Sequence, residues 1–302
     1  MSIALKCQKV LSLLKCTMDQ LSAINQIKRD EFDRPSGIIA VNKPAGKSSH
    51  DIVDTVRKIM HTRRVGHAGA LDQFATGVLI ILVGKATKLS NTLINLDKSY
   101  RAKIVFGIST ETQDIEGKPD KIEADAQLNQ KKLQQALKKF TGKIRQFVSV
   151  FSSVKVGGKK LRIIMRDERF SKEIVNEAGK RFIKFTPETE GPKAFEVEVP
   201  AKEITIAKSE LLEQGNITAD QLPYQDKLKP GSSYPFVTLQ IDCSKGTYIR
   251  QLAEDIGAEV GLPAFVLELE RSRVGSVSLA QCYSAEQLET AFTTDKTAAP
   301  AV

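Results

Sequence analysis

The residue of this chain best suited to chemistry is Asp72. It lies in a glycine-rich stretch between Gly69 and Gly77, directly before the apolar run Val78–Val83. Glycines let the backbone turn tightly and let a substrate come close to it. A carboxylate in such a loop can act as a nucleophile or as a general base. On this local pattern alone, the simpler interpretation, in which Asp72 only caps or turns the loop, is favoured.

Common cofactor-binding and metal-binding patterns are absent from the sequence. It contains no P-loop, no dinucleotide fingerprint after a strand, no G-x-S-x-G elbow and no H-E-x-x-H helix. The four Cys and three His are too scattered for a zinc site and indicate reduced thiols. If the chain is an enzyme, we expect it to work with side chains alone, without a metal or a cofactor.

The composition favours an anionic partner. The 302 residues include 45 Lys and Arg against 36 Asp and Glu, a net charge of +9. Nucleic acid is the commonest partner of so basic a chain, although a basic enzyme that binds no nucleic acid would have the same composition. No apolar run approaches the ~18 residues of a membrane span, and lysines interrupt the apolar stretch Ile3–Leu14. We therefore predict a cytoplasmic protein without a membrane segment.

Local patterns also predict the elements that position Asp72. The run Gly37–Val41 predicts a strand, and Ser48 with Asp51 forms the capping-box pattern of a helix start. Apolar residues at helical spacing follow Ser48, and Val78–Val83 predicts a buried strand. The loop that carries Asp72 is thus expected between a helix and a buried strand.

The rest of the chain mixes strands and helices without regular alternation. Alternating apolar residues from Ala102 to Ile108 predict a half-buried strand. Helices are predicted at residues 133–140 and 249–260, and strands at residues 195–199 and 237–241. This mixture indicates an α+β fold with a mixed, largely antiparallel sheet and flanking helices.

We expect the chain to be organised in three regions. Residues 1–36 are predicted to be an N-terminal extension with helical character, and residues 37–288 the compact domain. Residues 289–302 are predicted to be a disordered tail, because they are small and polar. Two polar stretches, near residues 171–193 and 214–233, are predicted to be insertions.

Four segments, in order, resemble the TruB family of tRNA pseudouridine synthases. Arg64–Leu79 is similar to the catalytic motif of that family, whose usual form is close to GHTGTLDPLATGVL. Val41–Ser49 resembles its KPxGxSS motif, Lys98–Arg101 its KxY segment, and Cys243–Arg250 its GTYIR motif. The resemblance covers roughly residues 37–288, and four ordered motifs over that span are a highly specific signal.

The resemblance implies a fold, a reaction and a partner. The fold would be that of the pseudouridine synthases, with a central catalytic cleft. The reaction would convert uridine to pseudouridine in the T-loop of tRNA, at the position conventionally numbered 55. The base would leave C1′ of the ribose, rotate and rejoin through C5, without a cofactor. The partner would be the T-arm of tRNA, and we expect a monomer.

Three residues would then form the catalytic set. Asp72 would be the catalytic aspartate, and whether it attacks the ribose or the ring stays open. Arg250 would be its partner, since a nearby guanidinium favours the ionised form of a carboxylate. Tyr100 would stack on the target base and help to remove the proton at C5. Without the resemblance, a strand-edge aromatic is the favoured interpretation of Tyr100. For Arg250 the alternative is a surface charge at a helix start, but that position is unfavourable for a cation and makes a carboxylate partner more plausible.

The resemblance also implies residues that bind the RNA. His67 would hold the flipped nucleotide, Leu269 would line the uracil pocket, and Lys43 would steady the loop or touch phosphate. A uridine in a folded loop must be extruded before chemistry. Phosphate contacts would supply affinity and make it salt-dependent. The remaining predicted contacts are Tyr248 and the basic stretch Lys155, Lys159, Lys160 and Arg162.

Two departures from the family pattern favour an alternative. Gln73 stands where the family usually has proline, which predicts a less rigid loop. Phe151–Lys155 replaces the usual YSALK, so that a hydroxyl is missing. The alternative is a tRNA-folding chaperone with weak or lost catalysis. We also expect the C-terminal PUA-type domain of many relatives to be absent, which disfavours a subunit for guide-RNA-directed modification.

Overall fold

The computed structural model describes Leu21, residues 24–30 and residues 32–293. Its strands are β1 (Ile27–Arg29), β2 (Pro35–Lys43), β3 (Val65–His67), β4 (Thr76–Val83), β5 (Lys98–Phe106), β6 (Ile108–Thr110), β7 (Pro119–Ile122), β8 (Gly142–Phe147), β9 (Lys155–Val156), β10 (Lys159–Lys160), β11 (Phe170–Glu177), β12 (Lys180–Pro187), β13 (Phe195–Val199), β14 (Ala201–Thr218), β15 (Ser233–Cys243), β16 (Ala264–Val274) and β17 (Val277–Ser278). Its α-helices are α1 (Ser49–Ile59), α2 (Ser90–Leu93), α3 (Gln130–Lys139), α4 (Leu161–Met165), α5 (Ile249–Val260) and α6 (Ala285–Thr293).

The chain divides into two compact units. The first contains the residues up to Arg101 together with those from Glu268 onward, and the second contains Ala102–Leu267. In the first unit, β4 pairs antiparallel with β2 and with β3, and β1 pairs antiparallel with β2. The end of β16 pairs parallel with the start of β4, through Glu270 opposite Thr76 and Arg271 opposite Gly77. The sheet of this unit is therefore mixed.

Strand β4 is covered on both faces, because its side chains alternate between two apolar clusters. Val78, Ile80 and Leu82 pack in one cluster with Ile38 and Ala40 of β2. Leu79, Ile81 and Val83 pack in the other, with Ile39 and Val41 of β2 and the apolar face of α1. Such burial explains why β4 reads as an unbroken apolar run.

Helix α1 begins as the sequence predicts. The Ser48 hydroxyl accepts a hydrogen bond from the Asp51 amide at 3.1 Å, and the Asp51 carboxylate accepts one from the Ser48 amide at 2.7 Å. These two bonds form a complete capping box. They also lower the pKa of the exposed Asp51 carboxyl.

The second unit contains two antiparallel sheets that matter for the site. Strand β14 pairs with β15 and with β8, while β12 lies between β11 and β13 in a separate three-stranded sheet. The phenyl rings of Phe185 and Phe195 stack in that smaller sheet, with centroids 4.5 Å apart. Helix α5 ends at Gly261, whose φ of +85° gives the left-handed conformation that glycine accommodates.

The predicted fold class is confirmed, and several details differ. Strand β5 is not half-buried: Ile104, Val105 and Phe106 are fully buried, and the strand ends at Phe106. The polar stretch 171–193 forms most of β11 and all of β12, and the stretch 214–233 contains the end of β14. The hydrophilic composition of these two stretches therefore did not predict the strands, because their polar residues face solvent.

The predicted boundaries shift at both ends. Strands β1 and β2 begin before residue 37, so that the sheet includes part of the predicted N-terminal extension. Helix α6 continues to Thr293, inside the predicted tail. The predicted helical character of residues 1–20 and the tail beyond Thr293 lie outside the described residues.

Replacing Gly77 with Ala tests the junction between β4 and β16. Gly77 has a φ of +107°, and a Cβ there would lie 2.3 Å from the Arg271 carbonyl oxygen. We expect Gly77→Ala to lower the free energy of unfolding by about 2–4 kcal/mol, measured by urea denaturation. Gly66→Ala is the control, because a Cβ at Gly66 meets nothing within 4 Å. Equal losses in the two variants would contradict this account of the junction.

Candidate active site

The Asp72 loop runs from β3 to β4, and the Asp72 side chain is half-buried within it. One anchor of the loop is Ser49, the first residue of α1. Its hydroxyl donates to the Leu71 carbonyl at 3.1 Å and accepts from the Leu71 amide at 2.8 Å. Ser49 is 5% exposed. The residue directly before Asp72 is thus fixed to the helix start by both of its peptide groups.

Lys43 forms a second anchor from the end of β2. Its ammonium group donates to the carbonyls of Pro44 at 2.8 Å, Lys47 at 2.6 Å and Gln73 at 3.0 Å. The side chain is 0% exposed. Of the two predicted roles of Lys43, this geometry favours steadying the loop.

Gln73 tightens the loop instead of loosening it. Its backbone carbonyl accepts from the Gly46 amide at 3.0 Å, and its side-chain amide donates to the Gly46 carbonyl at 3.3 Å. Proline would fix φ but would lack this side-chain bond. The predicted loss of rigidity is therefore offset by a second link to the turn after β2.

Arg271 forms a third anchor, which the sequence analysis missed. Its guanidinium donates to the carbonyls of Val78 at 2.8 Å, Ala70 at 3.2 Å and Gly69 at 3.2 Å. The residue is 2% exposed, on β16. The local sequence gave no clear signal, because the charged residues Glu268, Glu270 and Arg273 lie close to Arg271 in the chain.

His67 lies on β3 at the start of the same loop. Burial lowers the pKa of His67, and the charges of Arg271 and His50 lower it further. The imidazole is therefore neutral at pH 7. Its Nδ1 atom is buried and has no hydrogen-bond partner among the described residues. A neutral ring suits contact with an uncharged part of a nucleotide better than a salt bridge to phosphate.

Tyr100 and Leu269 are the other predicted site residues of the first unit. Tyr100 lies on β5 and is 9% exposed, and Leu269 lies on β16 and is 6% exposed. Both side chains are therefore largely withdrawn from solvent.

Arg250, in the first turn of α5, is paired within the second unit. Its Nη1 lies 3.2 Å from Asp114 Oδ2 and donates to the Thr112 carbonyl at 2.8 Å. The two side chains are 8% and 4% exposed. Arg250 is therefore not a surface charge at a helix start. Its pairing with Asp72, which belongs to the other unit, stays a prediction.

Tyr248 is fixed through its backbone at the start of α5. The Gln146 side chain accepts from the Tyr248 amide at 2.9 Å and donates to the Tyr248 carbonyl at 3.0 Å. The ring packs beside the apolar cluster around Phe170 and Phe185. The backbone of Tyr248 is thus held by Gln146 on β8, 102 residues earlier in the chain.

The predicted basic stretch forms a small hairpin and a short helix. Strands β9 and β10 turn through Gly157 and Gly158, both with positive φ, and α4 follows. Lys155, Lys159 and Arg162 are exposed, and Lys160 is half-buried. These four cations are placed where an RNA backbone could reach them.

The described residues include no group of three or more His, Cys, Asp or Glu that could hold a metal ion. Within the same ranges, Cys282 is a free thiol. Helices long and apolar enough to cross a membrane do not occur in the part of the chain that the structure describes.

Solved structures share this fold. A chain in the crystal structure of a Cbf5–Nop10–Gar1 complex matches with a TM-score of 0.55 at 19% identity, over 90% of this chain and 63% of that one. A chain in the crystal structure of the archaeal box H/ACA sRNP Nop10–Cbf5 complex matches with a TM-score of 0.51 at 18% identity, over 86% of this chain and 55% of that one. The chain thus spans less than two thirds of either solved chain.

Sequence comparison identifies the family. Residues 57–184 match the model described as TruB family pseudouridylate synthase, N-terminal domain. The tRNA pseudouridine synthase B of Bacillus pumilus is 34% identical over 84% of this chain and 70% of its own length. That of Mycobacterium tuberculosis is 36% identical over 83% of this chain and 71% of its own length. The chain belongs to the TruB family of pseudouridylate synthases.

Replacing Arg271 with Met tests the third anchor. The change leaves the carbonyls of Gly69, Ala70 and Val78 without the donor that the guanidinium supplies. We expect the free energy of unfolding to fall by about 3 kcal/mol, measured by urea denaturation. Arg64→Met is the control, because Arg64 is exposed. Within the described residues, its side chain bonds only to the Thr87 hydroxyl. A loss no larger than that of Arg64→Met would contradict the anchoring role.

A pH-dependent stability is expected from Asp255 on α5. Burial raises the pKa of Asp255 to about 6, against smaller opposing effects from the Gln251 hydrogen bond, Arg181 and Lys139. The folded chain therefore binds this proton more tightly than the unfolded chain does. Its contribution to stability is present at about pH 4 and is lost as the pH rises through about 6.

Asp255→Asn removes that ionisation while keeping an oxygen for the Gln251 amide. We expect the variant to be about 1–2 kcal/mol more stable than the wild type at pH 7. We also expect the difference to shrink between pH 6 and pH 4, in urea denaturation across that range. Asp226→Asn, at an exposed aspartate, is the control and should follow the wild type. If the difference in the free energy of unfolding between Asp255→Asn and the wild type does not change with pH, the ionisation of Asp255 is not its cause.

Proposed function

We propose that this chain isomerises uridine to pseudouridine in the T-loop of tRNA, at the position conventionally numbered 55. The observation that carries this proposal is the Asp72 loop, held by Ser49, Lys43 and Arg271 in a chain whose relatives are named tRNA pseudouridine synthase B. Such rigid support suits a carboxylate that must meet one atom of a nucleotide.

The reaction needs no external reactant. The bond between N1 and C1′ breaks, the base rotates, and a bond between C5 and C1′ forms. C5 then loses a proton and N1 gains one, so that the product is an isomer of the substrate. In this proposal Asp72 is the catalytic carboxylate, Tyr100 stacks on the base, and Arg250 stabilises the ionised acid.

Binding of the tRNA is assigned to residues of both units. His67 and Leu269 would contact the extruded nucleotide, and Tyr248 would contact the same substrate through its ring. Phosphates would be bound by the exposed cations Lys155, Lys159 and Arg162, with Lys160 beside them. Because such contacts release counterions, the affinity for tRNA should fall steeply with salt. We also propose that the protein is a monomer and that it works in the cytoplasm.

The chaperone alternative is not favoured. It depended on the departures at Gln73 and Phe151. Of these, Gln73 does not loosen the loop in the expected way, because it bonds to Gly46 through both its backbone and its side chain. The matched relatives cited above are named as synthases. The similarity to H/ACA complexes is at 18–19% identity and concerns the fold alone.

Asp72→Asn tests the proposal directly. The amide cannot serve as a nucleophile or a base, so that pseudouridine formation in a tRNA transcript should fall below detection. Binding of the transcript, measured by filter retention, should stay within about two-fold, because the overall charge changes little. Asp120→Asn, at an exposed aspartate of β7, should behave as the wild type in both assays.

Two outcomes would overturn the proposal. A wild-type protein that binds and refolds tRNA but forms no pseudouridine would support the chaperone instead. Mapping pseudouridine in tRNA from cells with and without the gene tests the position. Loss at a site other than the T-loop would change the assigned substrate.

A further inference from the structure

Two adjacent pairs of residues connect the same two segments of the second unit. Asp114 and Arg250 form the ion pair described above. Gln113, directly before Asp114, bonds to Gln251, directly after Arg250: its Nε2 donates to Gln251 Oε1 at 3.0 Å. The two glutamines are 5% and 0% exposed. A buried amide pair thus lies beside the ion pair and fixes the spacing of the same backbones.

The Gln113 side chain is held on every side. Its Nε2 also donates to Glu254 Oε2 at 2.6 Å, and its Oε1 accepts from the Ser149 hydroxyl at 2.8 Å. The backbone of Gln113 has a φ of +65°, a left-handed conformation that is unfavourable in a residue other than glycine. Such a conformation persists only where the surroundings hold it in place. The bonds of Gln113 therefore set the direction in which the chain enters Asp114.

The Gln251 side chain extends the network to the three-stranded sheet. Its Oε1 also accepts from Arg181 Nη1 at 3.0 Å, and its Nε2 donates to Glu254 and Asp255, each at 2.8 Å. Arg181 lies on β12, where its guanidinium stacks over the Phe147 ring at 4.6 Å. Its Nε donates to Asn176 of β11 at 3.1 Å. The first turn of α5 is thereby tied to β11 and β12.

Arg250 has several rotatable bonds, and two hydrogen-bond acceptors, Asp114 and the Thr112 carbonyl, hold its tip. Both acceptors belong to the turn that contains Gln113. A displacement of that turn relative to α5 would therefore move the guanidinium. The hydrogen bond between Gln113 and Gln251 opposes such a displacement, because sliding of the two segments would change the distance between its donor and its acceptor.

We propose that the Gln113–Gln251 pair is a positioning element for Arg250, and that Arg181 makes this positioning depend on the three-stranded sheet. The inference rests on the proposed function, in which Arg250 serves Asp72. In this inference, the polar stretch 171–193, which includes Arg181, affects the catalytic rate, in addition to any contact that it makes with RNA.

Gln113→Asn tests the pair with the least disturbance. Asparagine tolerates the left-handed conformation, but it is one methylene too short to reach Gln251. We expect kcat for pseudouridine formation to fall about 10-fold, with KM for tRNA within two-fold, because the bond acts on orientation and not on RNA affinity. Gln130→Asn, at the exposed start of α3, is the control and should leave both constants unchanged.

Arg181→Met tests the link to the sheet. It should lower kcat about 3- to 10-fold, and Arg181→Lys, which keeps a donor, should restore part of the loss. Lys180→Met is the matched control, because it removes the same charge from the same strand and Lys180 bonds at the surface to Glu198. If Arg181→Met and Arg181→Lys both raise KM and leave kcat unchanged, Arg181 is an RNA contact, and the link to the sheet is overturned.

A measurement without tRNA separates this inference from the proposed function. The Arg250 Nε–H resonance and its exchange with solvent can be followed by NMR at a temperature where each variant is folded. We expect faster exchange in Gln113→Asn and Arg181→Met, and no change in Lys180→Met or Gln130→Asn. An unchanged Arg250 signal in the first two variants would overturn the positioning role. If exchange is faster in these two variants but the wild-type protein forms no pseudouridine, the positioning role of the amide pair is retained and the proposed function is refuted.

Discussion

The site depends on hydrogen bonds from two buried cations to the carbonyls of an irregular loop. A glycine-rich loop has no ladder partners, and its buried carbonyls need donors from elsewhere. Lys43 donates to the loop carbonyl of Gln73, and Arg271 donates to those of Ala70 and Gly69. Both cations also bond to backbone carbonyls beside the loop, at Pro44, Lys47 and Val78. Removing a charge from water is costly, but many short bonds to carbonyl dipoles offset much of that cost. Rigid placement of Asp72 thus follows from satisfying backbone groups.

Local patterns predicted the elements that carry the site, because their causes are local. The capping box of Ser48 and Asp51 needs only four consecutive residues. The burial of β4 follows from its unbroken apolar run, and the end of α5 follows from Gly261. The ends of these elements were close to the predicted ones for the same reason.

The anchors could not be predicted from such patterns, because their partners lie far apart in the sequence. Gln73 is 30 residues from Lys43, Ala70 is 201 residues from Arg271, and Gln113 is 138 residues from Gln251. Nothing in the immediate sequence distinguishes Arg271 from its charged neighbours. The polar strands β11 and β12 were missed for a related reason, since the pairing that stabilises them outweighs their composition. Resemblance to a family supplied Asp72, but only the structure supplied what holds its loop.

The two units hold their site residues by different means, and substitutions should therefore act differently in each. In the first unit, Lys43, Ser49 and Arg271 bond to backbone groups, so that losing one of them leaves buried carbonyls or amides unsatisfied and lowers stability. In the second unit, Arg250 is held by the side chain of Asp114, by one backbone carbonyl and by the amide pair beside it. Gln113 also bonds to Glu254 and Ser149, and Gln251 also bonds to Arg181 and Glu254. Losing the bond between the two glutamines therefore leaves neither side chain without a partner and shifts orientation instead. Loss of stability is accordingly the expected mark of damage to the Asp72 loop, and loss of rate that of damage around Arg250.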